Sequence, residues 1–74
     1  MIYDTKYLGA LARKSRKEQR ATQKDLALTA GVGLRFISDF ENGKETCEIG
    51  KVLRVLHTLS INITFEPAKR IAYE

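Results

Sequence analysis

The stretch that most constrains this chain is residues 22–43, where one short helical pattern ends on a glycine and another begins two residues later. Thr22 is a good N-cap, because its hydroxyl accepts a backbone N–H that the first turn leaves unpaired. Asp25 in that first turn suits the positive end of the helix dipole. Leu26 and Ala30 share a face with Ala27 beside them, so a helix is predicted over 23–30. Gly31 ends it by taking the left-handed conformation. After only Val32 and Gly33 a second helix is predicted over 34–42, with Ile37, Phe40 and Glu41 at i, i+3, i+4 and Gly43 closing it. Ala27, four positions before Gly31, is small because the second helix crosses close to it. Leu26, Ala30, Val32, Ile37 and Phe40 fill the space between the two.

This crossed pair is one part of a small bundle. A first helix is predicted over 5–19, with Asp4 as N-cap and Leu8, Leu11, Ala12 and Ser15 on one stripe. A last helix is predicted over 51–59, with Gly50 at the N-cap and Val52, Val55, Leu56 and Leu59 at helical spacing. The period then changes to two. Ile61, Ile63 and Phe65 alternate with Asn62, Thr64 and Glu66, which predicts a strand over 61–66. No other segment has that pattern, so its partner strand must come from elsewhere. The chain has 74 residues, Cys47 is its only cysteine and His57 its only histidine. A disulfide within the chain is excluded and no metal or other cofactor is expected. A core of this size gains from oligomerisation, and the strand pairing with its own twofold copy in a homodimer meets both needs. Ile61, Ile63 and Phe65 are then the expected dimer interface. Residues 1–66 form one expected domain and 67–74 a C-terminal tail.

The net charge is +4 at pH 7 and the pI about 9.5. Arg13, Lys14, Arg16, Lys17, Arg20 and Lys24 form a basic stripe that only Glu18 interrupts. Such a stripe suits a polyanion, and equally a solvated helix face. No apolar run approaches the roughly 20 residues of a membrane span, and no signal segment opens the chain. A cytoplasmic protein without membrane attachment is expected. No nucleophile–base pair, metal cluster or phosphate loop is present, so no enzyme is expected. His57 and Cys47 read as spectators, and Phe36 as a packing or rim residue.

Two helices joined by so short a turn define the helix-turn-helix, whose second helix enters the major groove of duplex DNA. An αα-hairpin in any small bundle shares parts of this pattern; the whole set of positions in one stretch is more specific. The run RKSRKEQRATQKDLALTAGVGLRFISDFENGKET resembles the Xre/Cro/repressor superfamily, above all in TQKDLA, AGV and FISDFENGK, with VLRVLHTL beyond that run. With the terminal INITF it is most similar to the HipB-type antitoxin branch. The resemblance implies a mainly α, lambda-repressor-like bundle with a C-terminal β-strand paired across a homodimer. It also implies operator binding: Gly33, Leu34, Arg35, Ser38 and Asp39 fall at base-facing positions, and Thr22, Gln23, Asn42 and Lys44 at phosphate-contacting ones. Arg16 matches a helix 1 arginine of the superfamily, and its favoured role is structural, paired with Glu41.

The departures from the superfamily pattern bear on specificity. Gly33 stands where a polar or basic reader is frequent, and Leu34 is apolar, suited to a thymine methyl. Arg35 is therefore the expected principal reader, able to bond two acceptors of guanine. Asp39 needs a cytosine amino group or a pair with Arg35. Arg20 replaces a frequent helix-ending glycine and Ala21 a frequent leucine. The function implied is a transcriptional repressor on a palindromic operator in double-stranded DNA, acting as the antitoxin of a HipA-like kinase or a split form of one. Two alternatives stand beside it: a free-standing regulator with no toxin, and an inhibitory protein-interaction module that binds DNA incidentally.

Overall fold

A computed structural model describes residues 4–67, which form four helices: α1 (Thr5–Glu18), α2 (Gln23–Ala30), α3 (Leu34–Glu41) and α4 (Ile49–Thr58). α1 packs on α3, and α2 packs on both α3 and α4. Between them lies one core of Ala12, Leu26, Ala27, Ala30, Ile37, Phe40, Val52, Val55, Leu56 and Leu59. In α2, α3 and α4 these are the residues that the helical periodicity turns inward. In α1 only Ala12 of the expected stripe is buried, together with Gly9 and Arg16, while Leu8, Leu11 and Ser15 are half-buried, because the close approach of α1 to α3 centres on Gly9. Leu8, Val32, Phe36, Cys47 and Ile61 pack at its margin. Phe36 and Phe40 stack with ring centroids 6.0 Å apart, and the Lys51 ammonium lies 5.8 Å from the Phe36 centroid.

Three predicted helices agree with the structure to within a residue, and α4 requires a correction. It begins at Ile49 with Glu48 as N-cap, not at Lys51 with Gly50 as cap. The Glu48 carbonyl accepts from the amides of both Lys51 and Val52, so Gly50 belongs to the first turn. Ile49 is exposed, and an apolar residue facing solvent leaves no periodic signal from which to read the true start.

All four helices close the same way. Just past each helix an amide reaches back five residues into the last turn: Ala21 to Arg16 O, Val32 to Ala27 O, Lys44 to Asp39 O and Ile61 to Leu56 O. This closure places one residue in the left-handed region. Gly31 (φ 71°) and Gly43 (φ 82°) take it freely, whereas Arg20 (φ 58°) and Ser60 (φ 61°) hold it as L-residues. Left-handed backbone costs an L-residue about 1–2 kcal/mol, and glycine returns about 0.5–1 kcal/mol of that as lost chain entropy. Ser60→Gly is therefore expected to stabilise the domain by up to about 1 kcal/mol in denaturant titration. A loss of stability would mean that the serine contributes something this backbone account omits.

Residues 61–67 carry no regular structure within the single chain. Ile61 packs against the core, whereas Ile63 is exposed and Phe65 is 81% exposed. Of the three expected interface residues, one is seated on the chain's own core and two are uncovered. Apart from Pro67, the expected tail 67–74 lies outside the described residues, as do residues 1–3 of the expected domain.

Candidate nucleic-acid interface

The α1–α2–α3 frame is locked by a buried ion pair. Arg16 Nε donates to Glu41 Oε2 at 2.6 Å and Nη2 to Oε1 at 2.9 Å. The third guanidinium nitrogen, Nη1, donates to the Ala21 carbonyl at 2.9 Å. The Glu41 side chain is only 2% exposed. Burial by itself pushes a carboxyl pKa up, but hydrogen bonds from Arg16 and Gln23 and the positive charges of Arg16 and Arg13 outweigh it, leaving Glu41 below its ordinary range. The hydrogen bond to Glu41 holds Arg16 above its ordinary value, against the opposing effect of burial. The structural role expected for Arg16 is thus the observed one.

The same carboxylate anchors Gln23. Its amide Nε2 donates to Glu41 Oε1 at 3.0 Å, which holds the first residue of α2 against the end of α3. Thr22 and Asp25 form a reciprocal capping box, Asp25 N to Thr22 Oγ1 at 3.0 Å and Thr22 N to Asp25 Oδ2 at 3.0 Å. The backbone bond at Thr22 holds the exposed Asp25 carboxyl below its usual value. The sequence identifies the cap but not the Gln23–Glu41 bond, because residues 18 apart meet only once the helices are packed.

α3 divides cleanly into two faces. Ile37, Phe40 and Glu41 are buried. Leu34 is exposed, and the Arg35 side chain is 92% exposed. Ser38 and Asp39 are half-buried on the same outer side, and Asn42 is exposed just past the helix. Gly33, the N-cap, has extended backbone and makes no side-chain cap bond. All five expected base-facing residues thus fall on or beside one surface of α3. Asp39 sits between two cations, 3.9 Å from Arg35 Nε and 3.5 Å from Lys44 Nζ. The Arg35 pair is legible as i, i+4. The Lys44 pair is not, since the reversal at Gly43 creates it. The surface presents a steerable cation, an apolar side chain and short polar groups on a rigid helix, with Thr22 and Lys44 at its edges: chemistry suited to a groove edge flanked by phosphates.

Among the described residues no group of His, Cys, Asp and Glu is placed to hold a metal. Burial pushes the Cys47 thiol up, and the nearby Asp39 charge adds to that, which opposes thiolate chemistry. No helix among the described residues is long and apolar enough to cross a membrane.

Fold and surface together define a helix-turn-helix domain. The chain is 61% identical over 56 residues to an uncharacterised HTH-type transcriptional regulator, y4mF, of Sinorhizobium fredii, covering 76% of this chain and 74% of that protein. It belongs to the HTH-type transcriptional regulators. No family model matches it. Among solved structures it is similar to a HipB–O4 20mer complex, with a TM-score of 0.79, 28% identity, and 93% of this chain and 97% of that chain covered. A HipA–HipB–O2–O3 complex is likewise similar, with a TM-score of 0.79, 26% identity, and 93% and 97% covered. The fold is that of HipB, as the resemblance implies.

Proposed function

We propose that the chain is a sequence-specific repressor that binds a palindromic operator in double-stranded DNA as a homodimer and serves as the antitoxin of a HipA-like kinase or a split form of one. The observation that carries the DNA reading is the outer face of α3. Arg35, almost wholly exposed, stands beside Leu34 and Ser38 on a helix whose inner face is welded to the core. Gly33, Leu34, Arg35, Ser38 and Asp39 read base edges, and Thr22, Gln23, Asn42 and Lys44 take phosphates. Gln23 offers its backbone N–H at the start of α2 and the second N–H of a side-chain amide that Glu41 holds in place. The antitoxin reading rests on the HipB fold and on HipB being held with HipA in a similar structure.

Arg35→Ala is expected to weaken binding by about 1–3 kcal/mol and to relax preference at one base pair per half-site. Lys44→Ala is expected to weaken binding to all sequences alike. Duplex titrations at several salt concentrations separate the two, and an unchanged base preference in Arg35→Ala would remove α3 as the reader.

The dimer reading rests on Ile63 and Phe65, which are exposed in a segment of alternating pattern. Strand pairing across a twofold axis covers them and sets the two α3 helices about 34 Å apart, one turn of DNA. Ile63→Asp should yield monomers by sedimentation, with DNA affinity reduced through lost bivalency. A dimer that survives the change would place the interface elsewhere. The antitoxin arm is tested by co-purification with the product of the adjacent gene, with and without residues 68–74.

A further inference from the structure

One feature of the molecule takes no part in the interface described above: the basic stripe of α1. Ala10, Arg13, Lys14, Lys17 and Glu18 recur at i, i+3, i+4, i+7, i+8, which is one face of a helix. That face does not stand free in solvent. Together with Glu41 and Asn42 at the end of α3, it lines an open cleft of about 610 Å³. Arg13, Lys14 and Lys17 are exposed, and among the described residues no ion pair engages any of them. The two carboxylates in the lining do not cancel them equally. Glu41 attracts Arg13 as well but is held by the bidentate Arg16, so with Arg16 counted the lining keeps an excess of positive charge against Glu18.

We propose that this cleft is a second backbone site, in which Arg13 and Lys17 grip a phosphate of the same DNA strand that passes Asn42 at the end of α3. Asn42 belongs to both surfaces, lining the cleft and following directly on the outer face of α3. A strand held at Asn42 and Lys44 therefore meets the α1 cations next. Ala10 leaves the wall low enough for a phosphate to enter, and the guanidinium of Arg13 offers the paired donors that phosphate oxygens accept. The occupant is the DNA backbone and not a base, since nothing in the lining carries the donor and acceptor pattern that would tell one base pair from another. The proposal rests on the DNA-binding reading above.

The test compares two variants that lose the same charge from different faces, Arg13→Gln with Lys17→Gln on α1, and Lys51→Gln with Arg54→Gln on α4. Each is titrated with a duplex selected by the wild-type protein over a range of salt concentrations, with circular dichroism as the check on folding. The α1 variant is expected to lower the slope of log K against log[salt] by about one per protomer, with base preference at the site unchanged. The α4 variant is expected to keep the wild-type slope. An α1 variant with the wild-type slope overturns the cleft and leaves the role of α3 intact. If wild-type protein itself binds no duplex in a salt-dependent way, the DNA reading fails and the cleft falls with it. Inorganic phosphate supplies the remaining arm. If millimolar phosphate at constant ionic strength raises the wild-type melting temperature but not that of the α1 variant, and the two bind DNA alike, the cleft is a free-anion site and the proposal is wrong. A slope equally reduced in both variants shows only net charge at work and also overturns it.

Discussion

Glu41→Ala is expected to cost about 3–5 kcal/mol, because it leaves the Arg16 guanidinium buried and unpaired. Domains of this size have total stabilities of about 4–11 kcal/mol, taking about 0.05–0.15 kcal/mol per residue, so the change removes a large share and lowers the melting temperature by at least about 12 °C. The loss reaches beyond the pair, since Glu41 accepts from Arg16 on α1 and from Gln23 on α2 while belonging to α3. One carboxylate ties three helices together. Replacing Arg16 and Glu41 together by methionine should cost less than Glu41→Ala alone, because no uncompensated charge is left behind. A double variant worse than the single one would show that the pair stabilises the fold on balance.

The same carboxylate makes stability depend on pH. Its folded pKa lies below the unfolded value, so its contribution is fully present above the ordinary glutamate range, near pH 4.3, and is lost as pH falls through the folded value. Wild-type protein should therefore lose more stability than Glu41→Gln as pH drops below about 5. Parallel losses in denaturant titrations at both ends of that window would contradict the assignment.

Gly9→Ala is expected to be nearly as damaging, for a steric reason. A Cβ at Gly9 would land on the carbonyl oxygen of Phe40, well inside van der Waals contact, and lie 3.0 Å from the Phe40 carbonyl carbon and 3.3 Å from Glu41 Cα. All three are backbone atoms, so no side chain can turn aside. α1 must move off α3, and the 2.6 Å Arg16–Glu41 contact moves with it. Overpacking of this kind costs about 3 kcal/mol, and more when backbone must yield. Gly50→Ala is the control. It lies in the first turn of α4 with no neighbouring atom closer than 4.0 Å, and alanine there should stabilise by up to about 1 kcal/mol. If Gly9→Ala matched Gly50→Ala in thermal denaturation, the close approach of α1 and α3 would be wrong.

Local signals were the legible ones. The Thr22 cap, the glycines at 31 and 43 and the i, i+3, i+4 apolar spacing place α2 and α3 because each acts within one turn of helix. The outer face of α3 follows at once, since knowing that Ile37 and Phe40 point inward fixes where Arg35 points. What stayed hidden depends on helices meeting. Gly9 reads as an ordinary flaw in a helix until Phe40 is seen against it, and the Gln23–Glu41 bond spans two helices. The α1 stripe was visible as charge, but the cleft it forms with Asn42 needs the packing of α1 on α3. The start of α4 is not legible in the sequence because Ile49 faces solvent and carries no periodic information. The strand over 61–66 has a readable pattern, yet its expected partner belongs to a second molecule.

Whether the exposed face of α3 reads a twofold-symmetric DNA site is tested most directly by selection from a pool of random duplexes with wild-type protein. The account predicts enrichment of a palindrome whose half-sites are centred about one helical turn, roughly 10 base pairs, apart, with one guanine-containing position per half-site that loses its preference in Arg35→Ala. A pool that returns no enriched sequence, or a site whose preferences are identical for wild-type protein and Arg35→Ala, would contradict it.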